Sequence, residues 1–328
     1  MFLVSGVDLV VAACRNGVIG SFPTVNCRSP EQLDGWLGDI GDRLRRHSDK
    51  SGKSSAPVCP NLIVHRSNAR LGADLQVLLR HRPEIVITSV GSPAQVAAPL
   101  HDIGALVLAD VASIRHAERA LEAGADGLVL LTAGAGGQTG WLNPFAFVRA
   151  VRAFFDGPLV LAGGVSDGHA LRAAEALGCD LAYMGTKFIA TAESMADPRY
   201  KQMLVASSAD DILLTTAFTG LQTNMLRPSI VAAGLDPDDL PQRGAIDIGK
   251  DIDIGARDPS TPEASTGPES QPAEALAKAG NRPARWRDIW SAGHSTSGVS
   301  GVLPVDELIA RTLAEYRSGE ARYLSPLR

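Results

Sequence analysis

The stretch TAGAGGQTG, residues 132–140, sets glycines at 134, 136, 137 and 140 around one amide side chain, Gln138. Glycines here allow a ligand to approach the backbone closely. An amide offers an acceptor and two donors but takes up no proton near neutral pH, so Gln138 can orient and polarise a substrate and cannot act as its general base. Two further short motifs could bind an anion. Gly163 and Gly164 end PLVLAGG (158–164), and Gly185 with Thr186 sits inside LAYMGTKF (181–188). Backbone N–H groups and one hydroxyl converging at such strand ends hold a phosphate dianion without a lysine. Two such loops on adjacent strands point to the phosphate of a cofactor such as FMN.

These loops need a scaffold, and the apolar runs supply one. GVIGSFP (17–23), APVCPNLIV (56–64), EIVITSV (84–90), ALVLADV (105–111), GLVLLTA (127–133), PLVLAGG and LAYMGTKF are mostly rich in Val, Leu and Ile without polar alternation. That is the pattern of parallel strands buried on both faces. Amphipathic stretches such as SIRHAERALEAGA and DGHALRAAEALGC separate them and are long enough to cross back over a sheet. The glycine loops follow late strands, where (β/α)8 barrels place phosphates, whereas a doubly wound sheet would carry its fingerprint after the first strand. The expected fold is therefore α/β, a (β/α)8 TIM barrel. Seven strands are visible, and the helix-like VDLVVAACRN precedes the first of them, so the barrel's own first strand is expected to be missing or truncated.

Together, GADGLVLLTAGAGGQTG and PLVLAGGVSDGHALRAAEALGCDLAYMGTKFIATAES resemble the nitronate monooxygenase (2-nitropropane dioxygenase) family of FMN-dependent barrels. The similarity continues into GVIGSFPTVNCRSPEQLDGWL, PNLIVHRSN, KQMLV, FTG and NMLRPSI. The resemblance implies that the backbone of Tyr183 and Met184 runs along the flavin phosphate and ribityl chain. It also implies that Asn61 hydrogen-bonds the flavin ring, and that Gly136 lets the loop pass over it. Most members carry histidine, the substrate's base, where this chain has Gln138. The implied function is oxidation of alkyl nitronates by O2, because a preformed nitronate is already an anion and needs no base. The same scaffold leaves open an NAD(P)H-dependent flavin reductase acting on a quinone or enoyl thioester, and a degenerate flavin-binding barrel. In the family, the first strand ends in a proline and a methionine followed by a segment like FLVSG, and Met1 matches that methionine.

His65 follows a strand at the C-terminal rim, where barrel active sites lie, and is a tentative catalytic substitute. His294 lies in SAGHSTSG, at the place of a loop that approaches the flavin in relatives. Asp167 is expected to cap a helix whose first turn holds His169. Asp110 ends a strand facing the same rim as a polar lining group, with no proton-transfer role assigned. Four dispersed cysteines without a CxxC pair argue against a disulfide framework and a zinc site. A net charge of −5 gives no footprint for nucleic acid. No apolar run reaches the roughly 18 residues a bilayer crossing needs, and Asp8 interrupts the apolar start, so a cytoplasmic protein with no membrane association is expected. The expected division is a barrel with following helices over 1–235, a Pro/Gly-rich excursion over 236–282, and a C-terminal loop and helix over 283–328. A homodimer is compatible with this layout.

Overall fold

The computed structural model describes residues 1–240 and 288–324. The chain enters through helix α1 (Val7–Arg15) and then alternates strands and helices. The strands are β1 (Gly20–Pro23), β2 (Val58–Ile63), β3 (Ile85–Ser89), β4 (Leu106–Val111) and β5 (Gly127–Leu131), followed after one short strand, β6 (Gly137–Gln138), by β7 (Leu159–Ala162) and β8 (Leu181–Tyr183). All but β6 form one parallel sheet in the order β1-β2-β3-β4-β5-β7-β8. These are the seven expected strands, curled as a barrel with β1 and β8 as its outer members. Ser21 and Tyr183 meet at 3.2 Å between the two, and a cavity of about 720 Å³ lies between them, lined by Ile19, Gly20, Leu181 and Ala182.

Strand parity divides the apolar residues into two layers. Leu128 and Leu130 pack outward with Phe147, Val148 and Val151 of α6 (Pro144–Arg152). Val129 and Leu131 pack inward with Cys59, Ile87, Leu108, Val160 and Ala162. Because side chains alternate along a strand, the polar residues in phase with the inner set also point inward: Asn61 with Cys59, Ser89 with Ile87, Asp110 with Leu108. The inner layer thus turns from apolar to polar toward the C-terminal ends of the strands, which is where the glycine loops emerge.

One expectation is corrected. Residues 208–220 fall among the helices expected to follow the barrel, but Ile212–Thr215 forms a strand, β9, after a single 3-10 turn capped by Ser208. The apolar run ILLT is too short for its period to separate helix from strand. Its partner β10 (Thr223–Leu226) lies eight residues on and decides the matter. The glycine loop is also not wholly irregular, since Gly137 and Gln138 pair antiparallel with Asn224 and Thr223. The resulting sheet β6-β10-β9 lies at the C-terminal end of the barrel.

Other local expectations hold. Asp167 accepts from the backbone N–H of Ala170 at 2.7 Å and caps α7 (Gly168–Leu177). Pro304 leads into a helix over Val305–Leu324, and its Tyr316 lies beneath the Arg172 guanidinium at 4.4 Å. All four cysteines are buried and free. The 236–282 excursion lies almost wholly outside the described residues. Past it, Trp290 stacks on Tyr200 at 4.9 Å, and the Tyr200 hydroxyl donates to the carbonyl of Ser291. Tyr200→Phe keeps the stack and leaves that carbonyl without its donor, so it should lower unfolding stability by about 1–2 kcal/mol, measured by urea denaturation. No change would mean that the hydroxyl does not hold the Ser291 segment in place.

Candidate active site

One cavity of about 250 Å³ opens at the C-terminal ends of the strands. Its walls bring together Asn61, Gly136, Gln138, Gly163, Gly164, Tyr183, Met184, Gly185 and Thr186, nine positions read from distant parts of the sequence. His65 is not among the lining residues. Its Nδ1 lies 2.7 Å from Ser67 Oγ and accepts from the Ser67 backbone N–H, which fixes the turn after β2. His294 is exposed and also lies off the wall, and its backbone N–H donates to the Gly134 carbonyl at 3.0 Å.

The glycine loop is pinned from three sides. Asn224 Nδ2 donates to the Ala135 carbonyl at 2.8 Å, Thr139 Oγ1 donates to the Thr132 carbonyl at 2.8 Å, and the segment Ala292–Gly293 presses against Gly136. A Cβ on Gly136 would come within 2.7 Å of the Gly293 backbone nitrogen, so this position needs glycine for a backbone-on-backbone contact. With the loop fixed, Gln138 sits half-buried with its side chain lining the cavity.

The opposite wall comes from the ends of β7 and β8. Gly163 has φ +122° and Gly164 φ +74°, and nothing stands within 4 Å of where a Cβ on Gly164 would project. The backbone there faces open space. Thr186 Oγ1 accepts from the Gly293 N–H at 2.9 Å, which leaves its own proton to donate. Two bare glycines, Gly185 and a hydroxyl donor are a suitable set for a phosphate.

Between these walls the inner polar layer forms the floor. Ser89 Oγ donates to Asn61 Oδ1 at 2.6 Å, so the Asn61 amide keeps its N–H groups as donors, one of them directed toward Asp110. Asp110 stands beside Asn61 at the end of β4. Its Oδ1 is shut away from solvent with no hydrogen-bond partner, and the side chain lines the cavity. Burial pushes its carboxyl up to about 7, against the opposing pull of the Met1 amino group and the Asn61 amide. Burial also holds the Met1 amino group below its ordinary value and the Tyr183 phenol above its own. From the sequence, Asp110 is expected only as a polar lining group. The available signal was parity, since Asp110 is in phase with Leu106 and Leu108 on a strand whose inner face is otherwise apolar. Ser295, Thr219 and Leu221 also reach the cavity; Ser295 lies in SAGHSTSG and Thr219 in FTG, both within the resemblance, while nothing in the sequence singles out Leu221.

Among the described residues, no helix is long and apolar enough to cross a membrane and no group of acidic, His or Cys side chains could hold a metal ion. The family model for nitronate monooxygenase matches residues 49–315. A nitronate monooxygenase of Paraburkholderia phytofirmans is 31% identical over 228 residues, covering 65% of this chain and 61% of that protein. The (3aS,4S,5R,7aS)-5-hydroxy-7a-methyl-1-oxo-octahydro-1H-indene-4-carboxyl-CoA dehydrogenase of Mycobacterium tuberculosis is 27% identical over 231 residues, covering 70% of this chain and 61% of that protein. The chain thus spans about three-fifths of the length of these relatives. In fold it is similar to a nitroalkane oxidase from Streptomyces ansochromogenes, with a TM-score of 0.74 at 23% identity over 97% of this chain and 94% of the other.

Proposed function

This chain belongs to the nitronate monooxygenase family, and we propose that it binds FMN in the cavity above the strands and oxidises alkyl nitronates with molecular oxygen. The observation that carries this reading is the convergence of the two phosphate-type glycine loops, Asn61 and Gln138 on a single cavity. FMN, when bound, supplies the electron transfer from nitronate toward oxygen. The protein's part is to hold and orient. Gly163, Gly164, Gly185 and the Thr186 hydroxyl would hold the phosphate, and the Asn61 amide would donate to the ring. The Gln138 amide would donate to the nitronate oxygens, an interaction with a full negative charge. Apolar lining by Val25, Ile63 and Leu131 limits water and so strengthens each of these polar contacts.

Gln138→Ala tests the orienting role. A hydrogen bond to a charged group contributes about 1.5–3 kcal/mol, so the KM for propionate 3-nitronate should rise roughly tenfold to a hundredfold. An unchanged KM would remove Gln138 from the substrate site.

The reaction itself is tested by mixing the FMN-reconstituted protein anaerobically with propionate 3-nitronate and, separately, with NADH or NADPH. A change in the visible flavin absorbance with nitronate and none with nicotinamide supports the monooxygenase reading. Full bleaching by NADH or NADPH with silence toward nitronate replaces it with a flavin reductase, the direction suggested by the dehydrogenase relative.

A further inference from the structure

The geometry points to Asp110 as the proton acceptor for neutral nitroalkanes at this site, the role that Gln138 cannot fill. This rests on the nitronate monooxygenase reading and widens its substrate class from the preformed anion to the parent nitro compound. Four observations place Asp110 in that role. It lies on the inner face of β4, in phase with Leu106 and Leu108. It lines the same cavity as Gln138, and the two arise from neighbouring strands, Asp110 at the end of β4 and Gln138 from the loop after β5. Its Oδ1 is buried with no partner, whereas buried polar atoms in folded proteins are almost always paired. Finally, among the described residues no ion pair fixes its charge: Arg, Lys and His are absent from the cavity wall, and the charged or titratable groups facing it are the Met1 amino group, Cys59 of β2 and Tyr183 of β8. The cysteine and the phenol are both held protonated by burial.

A carboxyl titrating at about 7 is matched to proton transfer at neutral pH. In the step, the C–H bond next to the nitro group breaks and its proton passes to the Asp110 carboxylate. The electron pair moves onto the nitro group, giving the nitronate, and no oxidant is consumed. Gln138 donates to the nitro oxygens as the charge develops there. The protonated Asp110 then donates a hydrogen bond to the anion it has formed, so a carboxyl that would repel a nitronate when ionised assists it when neutral.

The two substrates should therefore depend on pH in opposite senses. With nitroethane, kcat/KM should rise through about pH 7 as Asp110 ionises, and with ethyl nitronate it should fall over the same interval. In Asp110→Asn both limbs should vanish, and kcat/KM for nitroethane should fall by about 10²–10⁴, at least thirtyfold more than for the nitronate. Loss of both activities to the same extent would overturn the assignment, as would a wild type that turns over nitronate but never nitroethane, which leaves the nitronate reading standing. Silence on both substrates would bring down that reading and the inference together. A second readout is independent of turnover, and a variant whose other aspartate resonances keep their wild-type positions is folded. In protein labelled with carboxyl-13C aspartate, with and without FMN, one resonance should titrate near pH 7, and it should be missing from Asp110→Asn. If every aspartate titrates below about pH 5, Asp110 is not the base.

Discussion

Gly163→Ala is expected to abolish the FMN binding proposed for this cavity, with a loss of affinity of at least a hundredfold, and to lower the melting temperature of the apoprotein as well. The added Cβ would lie 2.5 Å from Thr132 Oγ1 and 2.7 Å from the Ala135 backbone nitrogen, distances at which something must move. Neither neighbour can yield cheaply. Thr132 Oγ1 donates to the Ala162 carbonyl at 3.0 Å, and the Ala135 N–H bonds the Thr132 carbonyl at 3.1 Å. The first bond ties the root of the Gln138 loop to the end of β7, and the second closes the loop's own first turn. Backbone strain adds to the clash, because φ of +122° is foreign to any residue with a Cβ and costs about 1–3 kcal/mol by itself. Relieving the contact would push the two walls of the cavity apart, so the proposed phosphate cradle and the proposed substrate loop should be lost together. Gly164→Ala is the comparison. Its φ of +74° is also unfavourable, but its Cβ would meet nothing within 4 Å, so any loss of FMN there reflects backbone conformation and entry into the phosphate space. Equilibrium flavin titration with thermal denaturation of both variants measures this. If Gly163→Ala retains FMN as the wild type does, Gly163 is a turn residue only and the cradle lies elsewhere.

The scaffold is legible in the sequence because parallel strands buried on both faces carry their signal locally. Leu128 to Leu131 and Leu159 to Ala162 are apolar at every position, whichever layer each residue joins. The cavity wall was legible for a related reason, since Gly163, Gly164, Gly185 and Asn61 all sit at strand ends, and a parallel barrel brings strand ends to one rim. The cap of the small sheet was not legible. Gln138 pairs with Thr223 across 85 residues of chain, and nothing in GGQTG or in LQTNML announces the other. The Ile212–Thr215 strand is hidden in the sequence for the same physical reason, because a run as short as ILLT takes whichever conformation a partner imposes. Asp110 falls between these cases. Its inward direction follows from alternation alone, but its near-neutral titration depends on the burial created by the residues around it.

That burial leads to a stability prediction separate from catalysis: Asp110→Asn should be more stable than the wild type at pH 8, with an advantage that shrinks to nothing near pH 4. In the unfolded chain this carboxyl titrates at its ordinary 3.8, and in the folded protein at about 7. Between those values the folded state binds the extra proton. Folding stability from this group is therefore intact below about pH 4, declines as pH rises, and is fully lost above about 7. A shift of this size corresponds to about 4 kcal/mol at most, and the side chain's partial access to the cavity reduces this to about 2–4 kcal/mol. An asparagine carries no charge at any pH and escapes the penalty, while keeping an amide that can pair with Asn61. Urea denaturation of both proteins at pH 4.5, 6 and 8 would show two stability curves that separate as pH increases. Parallel curves would mean that water or a counter-ion reaches Asp110 and keeps it an ordinary carboxylate. FMN adds a further distinction. A ligand that binds only the folded state raises stability by mass action, and one that further excludes water from Asp110 should push its titration higher still. With FMN bound, the separation between the two curves should begin at a higher pH than in the apoprotein.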